Sequence, residues 1–171
     1  PYIVATPPME MEGQDHLPAR YCDLLEIGRQ EGVKPTFEYI SFFKSVNNLA
    51  DAWRIVQEAK DDDSTIVLDA FHNWNSSSSL DDLQEIPIEK ISHYHIDDAH
   101  PEIPPTKQKD PDRVMLGEGQ IDLSSELTIL KEKGYDNTMS LELFNEELWA
   151  KDPLEVITTG LERMQSLWAE A

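Results

Sequence analysis

Five short segments rich in β-branched and aromatic residues recur along the chain, and a helix-like stretch follows each of them. Strands that alternate with helices form a parallel sheet, because parallel neighbours need a crossover connection and a helix usually supplies it. This alternation assigns the chain to the α/β class. The five segments are 3–6, 35–40, 65–71, 91–96 and 138–144.

The helices are predicted from apolar positions at helical spacing and from residues that suit helix ends. The last helix has the clearest signals, since Asp152 suits an N-cap and Pro153 the first helical position. An apolar stripe follows, made of Leu154, Ile157, Leu161, Met164 and Leu167. The other helices are predicted at 21–29, 49–59, 80–85 and 122–134.

Two architectures fit this order of elements, an open doubly wound sheet or part of a closed barrel. A dinucleotide-binding fold would carry a glycine-rich phosphate loop directly after a strand. The best candidate, Gly117-Glu118-Gly119, lacks both the third glycine and the preceding strand. The sequence therefore does not predict a nucleotide cofactor.

Charge and composition narrow the range of partners. The 171 residues carry a formal charge of -20, which repels nucleic acid phosphates and anionic membranes, and the densest basic stretch, 107–113, also contains two aspartates. The single cysteine, Cys22, excludes an internal disulfide and fits a reducing compartment. We therefore expect a cytoplasmic protein with a small-molecule substrate and with neither nucleic acid nor membrane as partner; a homo-oligomer remains open.

Four of the five predicted strands carry a titratable or metal-binding side chain near the C-terminal end. In parallel sheets and barrels these strand ends open onto one face, so the four side chains should converge there. Buried carboxylates repel each other unless a cation lies between them. Three oxygens and one imidazole suit Mn²⁺ or Mg²⁺, with Co²⁺ or Zn²⁺ as alternatives. The four residues are Glu38, Asp69, His95 and Glu142.

Other polar residues near these strand ends have ordinary interpretations. His93 lies deeper in its strand than His95, which favours a packed core histidine. Asp97 and Asp98 follow the same strand and are predicted to be solvated acids that terminate it.

Four motifs occur in order along the chain: Asp69-Ala-Phe-His72, His95-Ile-Asp-Asp98, Asp112-Arg-Val-Met-Leu-Gly-Glu-Gly119 and Leu141-Glu-Leu-Phe-Asn-Glu-Glu-Leu-Trp149. Their order and spacing resemble those of the sugar phosphate isomerase/epimerase family, which has the xylose isomerase-like (β/α)8 barrel. Such a barrel needs about 250 residues, so five of its eight units would take about 156. We therefore expect residues 1–171 to form a single domain, the C-terminal portion of such a barrel, with only the last five βα units.

The resemblance implies a function and a set of site residues. It implies a metal-dependent isomerase or epimerase that moves a proton on a small hydroxy-carbonyl compound, a sugar or sugar acid, through an enediolate. The four strand-end residues would bind the metal, and two of them, Glu38 and Glu142, would also transfer the proton. His72 and Arg113 match family positions that hold substrate oxygens, and Trp149 is expected to form a wall of the pocket.

One position departs from the ketose 3-epimerase branch of the family. That branch carries a glutamate six residues after the first metal ligand, where this chain has Lys44. The departure argues against a ketose 3-epimerase. A lysine near the pocket mouth would instead favour an anionic substrate, which Arg113 could bind from the other side.

Three alternative functions remain at this point. A dehydratase of the 3-dehydroshikimate type could use the same metal site, because proton abstraction next to a leaving hydroxyl ends in dehydration. A non-catalytic acidic binding module would be favoured if the pocket were incomplete. An endonuclease IV type of repair enzyme should carry an Asp-x-His pair between His95 and Gly117, and this sequence has none.

Overall fold

The central element of the computed structural model, which describes residues 1–171, is a curled sheet of five parallel strands. These strands are β1 (Tyr2–Ala5), β2 (Lys34–Phe37), β3 (Ile66–Asp69), β4 (Ile91–Ile96) and β7 (Thr138–Leu141). They lie in the order β1-β2-β3-β4-β7, and every neighbouring pair is parallel. The strand order never reverses, so the expected partial barrel is confirmed and the open doubly wound sheet is wrong. Between β4 and β7 the chain forms a short antiparallel pair, β5 (Asp98–Ala99) and β6 (Arg113–Val114).

The helices cover the outside of the sheet. They are α1 (Leu17–Glu31), α2 (Leu49–Glu58), α3 (Ala70–Asn75), α4 (Leu80–Glu85), α5 (Leu123–Glu132), α6 (Glu146–Trp149) and α7 (Pro153–Glu170), with single 3-10 turns at Ile88–Lys90 and Asp110–Asp112. The predicted caps form, since the Asp152 side chain accepts a hydrogen bond from the backbone N–H of Leu154. Helix α3 was not predicted. It begins directly after β3 because the Asp69 carboxylate accepts the His72 N–H at 2.8 Å and caps the new helix.

The middle of the sheet is buried and its edges are open. All four residues of β3 are buried, whereas Ile3 at the centre of β1 is 54% exposed. The apolar stripe of α7 is likewise exposed at one end and packed at the other: Leu154 is 72% exposed, while Met164 and Leu167 pack against the core. No helix combines the length and the apolar character that a membrane crossing requires.

Asp97 and Asp98 are both buried, so the prediction that they are solvated acids is wrong. Asp98 accepts hydrogen bonds from four backbone N–H groups, those of Ala99, Gly117, Gly119 and Ile121, at 2.9–3.0 Å. A side chain at residue 119 could not be accommodated, because its Cβ would lie 2.2 Å from the Ala99 carbonyl oxygen. Asp98 therefore fixes the loop that follows β6 and holds this short strand against β5.

Candidate metal centre

The four predicted strand-end residues lie together at the C-terminal edge of the sheet. Glu38 directly follows β2, Asp69 ends β3, His95 lies in β4 and Glu142 directly follows β7. Each offers one ligand-type atom, and these four atoms lie within 4.8 Å of one another. Four strands of a parallel sheet therefore contribute one group each to a single point.

The donor set fits a divalent cation. His95 Nδ1 is 2.9 Å from a Glu38 oxygen, 3.4 Å from a Glu142 oxygen and 3.8 Å from an Asp69 oxygen. This nitrogen is buried and makes no hydrogen bond, which leaves it available as a ligand. A nitrogen and three carboxylate oxygens facing one point form the coordination set of a borderline-hard divalent ion.

Burial and crowded charge shift the pKa values of these groups. Burial raises the pKa of Glu38, and the nearby Asp69 and Glu142 carboxylates raise it further, although His95 opposes both. Burial alone would lower the pKa of His95, but the Glu142 and Glu38 carboxylates raise it to about 10. The pKa of Asp69 falls to about 2 despite complete burial, because the Arg113 guanidinium and the backbone N–H of His72 stabilise its charge. The acids therefore require a positive partner.

Arg113 is the fixed cation of the site and is 1% exposed. Its Nη1 donates to Asp69 Oδ2 at 2.9 Å, to Glu142 Oε2 at 3.0 Å and to Asp97 Oδ2. Its Nη2 donates to Asp110 Oδ1 at 3.0 Å, and the guanidinium lies 4.8 Å from the ring centroid of Phe71. Four carboxylates thus surround one guanidinium. Arg113 was predicted to bind substrate oxygens, but both of its terminal nitrogens already have acid partners.

His72 lies between Arg113 and Ser41. Its Nε2 is 3.2 Å from Arg113 Nη2. Its Nδ1 is 3.1 Å from the Ser41 hydroxyl oxygen and 3.4 Å from the Ser41 backbone nitrogen. The Ser41 hydroxyl in turn accepts from the Asn75 amide at 2.8 Å. Burial also lowers the pKa of His72, consistent with a neutral imidazole that orients the guanidinium.

An aromatic pair forms the exposed rim next to Glu142. Trp149 is 62% exposed and meets Phe144 edge to face at 6.5 Å, while its indole N–H donates to the Leu143 carbonyl oxygen at 2.8 Å. Phe144 also lies 5.5 Å from the Arg113 guanidinium. The predicted wall residue is therefore held at the edge of the cluster, with its ring open to solvent.

Two further predictions have different outcomes. His93 faces the barrel interior below His95, half-buried and in edge contact with the rings of Tyr2 and His95, so it is only partly a core residue. Lys44 lies in an exposed ion pair with Glu10. Its charge is therefore already matched by a neighbouring acid.

Sequence reasoning missed Asp97 as a member of the site. Its Oδ1 accepts the Phe71 N–H at 3.0 Å, and its Oδ2 contacts Arg113, so it joins the start of α3 to the guanidinium. Burial together with the Asp69 charge raises the pKa of this carboxyl well above its usual range. The only signal in the sequence was its position two residues after His95 at a strand end.

Comparison with known proteins supports the same fold. The inosose isomerase of Halalkalibacterium halodurans is 36% identical in an alignment of 168 residues, which covers 94% of this chain and 59% of that protein. The 3-dehydroshikimate dehydratase of Pseudomonas putida is 25% identical in an alignment of 138 residues, which covers 77% of this chain and 21% of that protein. The chain thus spans less than two thirds of the length of the curated relatives it matches.

A crystal structure of the IOLI protein with a binding zinc atom superposes with a TM-score of 0.90 at 30% identity, covering 99% of this chain and 63% of that one. A family model described as xylose isomerase-like TIM barrel matches residues 5–167. That match covers nearly the whole chain and agrees with the curled parallel sheet. The chain therefore belongs to the xylose isomerase-like TIM barrel family.

Proposed function

We propose that this chain forms the metal-binding part of a sugar isomerase or epimerase that moves a proton next to a carbonyl group. The observation that carries the proposal is the convergence of three carboxylates and one imidazole from four strands within 4.8 Å. The similarity to inosose isomerases agrees with it. Residues 1–171 would supply the C-terminal portion of the barrel as a single domain.

Glu38, Asp69, His95 and Glu142 would hold the ion, with Mn²⁺ or Mg²⁺ suited to the oxygens and Zn²⁺ to the imidazole. When bound, a divalent ion supplies Lewis-acid polarisation of a carbonyl group. Glu38 and Glu142 would exchange the proton, one accepting it at a carboxylate oxygen and the other returning it to the adjacent carbon. Arg113, oriented by His72, would keep the carboxylates in place, and Trp149 would cover the face of the substrate.

The charges around the site favour an uncharged hydroxy-carbonyl substrate. An anion needs a cation with hydrogen-bond donors that it can reach. Both terminal nitrogens of Arg113 are paired with acids, and its Nε, which has no partner, is buried. Lys44 is paired with Glu10. The expectation of an anionic substrate is therefore replaced by an uncharged one. This choice favours an isomerase over a dehydratase that acts on a carboxylate such as 3-dehydroshikimate.

The proposal is tested by metal analysis followed by solvent isotope exchange. The purified protein should contain one divalent ion per chain by emission spectroscopy. With Mn²⁺ added, it should incorporate deuterium from solvent next to the carbonyl of an uncharged cyclic hydroxy-ketone. The Glu142→Gln variant should lose this exchange by about 10² to 10⁴, because the amide cannot accept a proton.

Glu147→Gln is the matched control, since Glu147 follows the same strand and is exposed. It should exchange deuterium at the wild-type rate. Equal rates in Glu142→Gln and the wild type would reject the proton-transfer role. Exchange only with carboxylate-bearing substrates would favour the dehydratase instead.

A further inference from the structure

Glu126 is a buried acid that the proposed chemistry does not use. It lies on α5 among Leu123, Leu127 and Leu130, and only 5% of its surface is exposed. It makes no ion pair with any lysine, arginine or histidine of the chain. Burial raises its pKa to about 7. A carboxylate retained in such apolar surroundings must be compensated by hydrogen bonds.

Neutral donors supply these hydrogen bonds. The Tyr94 hydroxyl donates to Glu126 Oε2 at 2.9 Å, and the Asn73 amide donates to the two carboxylate oxygens at 3.2 and 3.3 Å. The Tyr39 hydroxyl then donates to the Asn73 side-chain oxygen. The four side chains form one connected network, which we call the Glu126 network.

Each of the three partners of Glu126 in this network is the chain neighbour of a site residue. Tyr39 follows Glu38, Tyr94 precedes His95, and Asn73 follows His72. Successive side chains of a strand point to opposite faces, so the network lies on the helix side while the metal centre lies on the barrel side. The network thereby connects α5, on the helix side of the sheet, to the ends of β2 and β4 and to α3.

This arrangement links the spacing of the site residues to Glu126. If the Tyr94 hydroxyl and the Asn73 amide lost their acceptor, they would be buried without a partner and would have to shift or admit water, and a shift of Asn73 would also disturb its hydrogen bond from Tyr39. Any shift of Tyr39 or Tyr94 moves the adjacent backbone, and with it Glu38 or His95. Residues behind a metal centre that orient its ligands typically change metal affinity by about 10- to 100-fold when replaced.

We propose that Glu126 is a positioning residue that sets, from the helix side of the sheet, the geometry of the candidate metal centre. The inference rests on the proposed metal-dependent function. Glu126 does not contact the ion or a ligand. It acts through Tyr39, Asn73 and Tyr94.

Cobalt binding tests the proposal with a readout that loss of stability alone would not change. Co²⁺ is titrated into the protein at pH 8, where Glu126 is ionised, and well below the unfolding temperature. The titration records the Co²⁺ affinity and the visible absorption bands, because these bands report the coordination geometry of the ion. Glu126→Leu should bind Co²⁺ at least 10-fold more weakly with altered bands. Glu126→Gln, which keeps the shape and can accept from Tyr94, should remain within about threefold of the wild type.

The matched control is Glu132→Gln, an exposed position on the same helix, which should leave both readouts unchanged. Wild-type affinity and bands in folded Glu126→Leu would overturn the positioning role, and so would a Glu126→Gln variant as weak as Glu126→Leu. Should Glu126→Leu fail to fold, Tyr94→Phe decides, because it removes a single donor; affinity at least threefold weaker supports the role, and unchanged affinity overturns it.

A ligand-site variant separates this proposal from the proposed function. Asp69→Asn should abolish Co²⁺ binding if the cluster is the metal centre. Loss of binding in Asp69→Asn together with an unaffected Glu126→Leu would overturn only the positioning role. Failure of the wild type to bind Co²⁺ would overturn both proposals.

Discussion

On the barrel side of the strand ends, several carboxylates share the Arg113 guanidinium, whereas on the helix side the Glu126 carboxylate accepts hydrogen bonds from the neutral Tyr94 and Asn73. The first arrangement depends on one positive charge, and the second on hydrogen bonds alone. The two sides are one residue apart along the chain. They should therefore respond differently to substitution, pH and added cations.

Removing the positive charge should have the largest effect. Arg113→Met leaves four carboxylates without their shared partner, and breaking a buried ion pair in this way costs about 3–5 kcal/mol. Urea unfolding in the presence of a chelator at pH 7 measures the loss. Arg20→Met, which removes an exposed pair with Asp23, should leave the unfolding midpoint unchanged. A loss below about 1 kcal/mol for Arg113→Met would contradict the shared-cation arrangement.

On the helix side, the contribution of Glu126 to stability should depend on pH. The pKa of Glu126 is raised from 4.5 to about 7 in the folded protein, so between these values the folded state binds the proton more tightly than the unfolded state. The contribution of Glu126 to stability therefore falls as pH rises from 4.5 to 7 and stays constant above. Glu126→Gln lacks this dependence, so its free energy of unfolding relative to wild type should rise by about 3 kcal/mol between pH 4.5 and pH 8.

Urea unfolding of both proteins at the two pH values measures this difference, because the other titrating groups cancel in the comparison. Glu132→Gln provides the control and should show no change relative to wild type across the range. A pH-independent difference between Glu126→Gln and wild type would mean that Glu126 is not a buried acid held by neutral donors.

Asp98 offers a third arrangement, a buried carboxylate held by backbone N–H groups. Asp98→Asn keeps one oxygen but turns its amide towards two backbone donors, because each Asp98 oxygen accepts from two of them, and this should cost about 2 kcal/mol. Hydrogen exchange should also become faster at Gly117 and Gly119 or at Ala99 and Ile121, whichever pair faces the new amide. Wild-type protection of all four amides in Asp98→Asn would be the contrary result.

The smallest effect is expected for an exposed charge at the mouth of the barrel. Lys44 pairs with Glu10, and both side chains are largely open to solvent. Exposed ion pairs contribute little because water screens them. Lys44→Gln should therefore leave both the urea midpoint and Co²⁺ affinity unchanged, and a weaker Co²⁺ affinity would show that charges outside the buried cluster also act on the site.

The strand ends could be predicted because the geometry of parallel sheets brings them to one edge whatever the sequence between them. Glu38, Asp69, His95 and Glu142 were visible as polar residues at the ends of apolar segments. The contacts of Asp97 and Asp98 could not be predicted from the sequence. Arg113 lies 16 residues after Asp97, and the glycines that donate to Asp98 lie 19 and 21 residues after it, so only the folded loop brings them together.

Two errors have a common physical cause. Asp97 and Asp98 were predicted to be solvated because acids after a strand usually face water, and Glu126 was passed over because its neighbours form an apolar stripe. Each is a buried acid whose compensation comes from a distant segment. Local patterns identify apolar faces and turns, but the cost of burying a charge is decided by tertiary contacts.

The two carboxylate oxygens of Asp69 make different contacts, and this difference affects how a cation would bind. Oδ1 caps α3 through the His72 N–H, while Oδ2 faces the cluster and Arg113. The side chain is therefore already immobilised, and a cation that binds it need not freeze its rotamers. Glu142 is 30% exposed at its side chain, and fixing a glutamate costs up to about 2 kcal/mol in rotamer entropy. A cation should thus enter and leave past Glu142, with Asp69 as the stationary side of the centre.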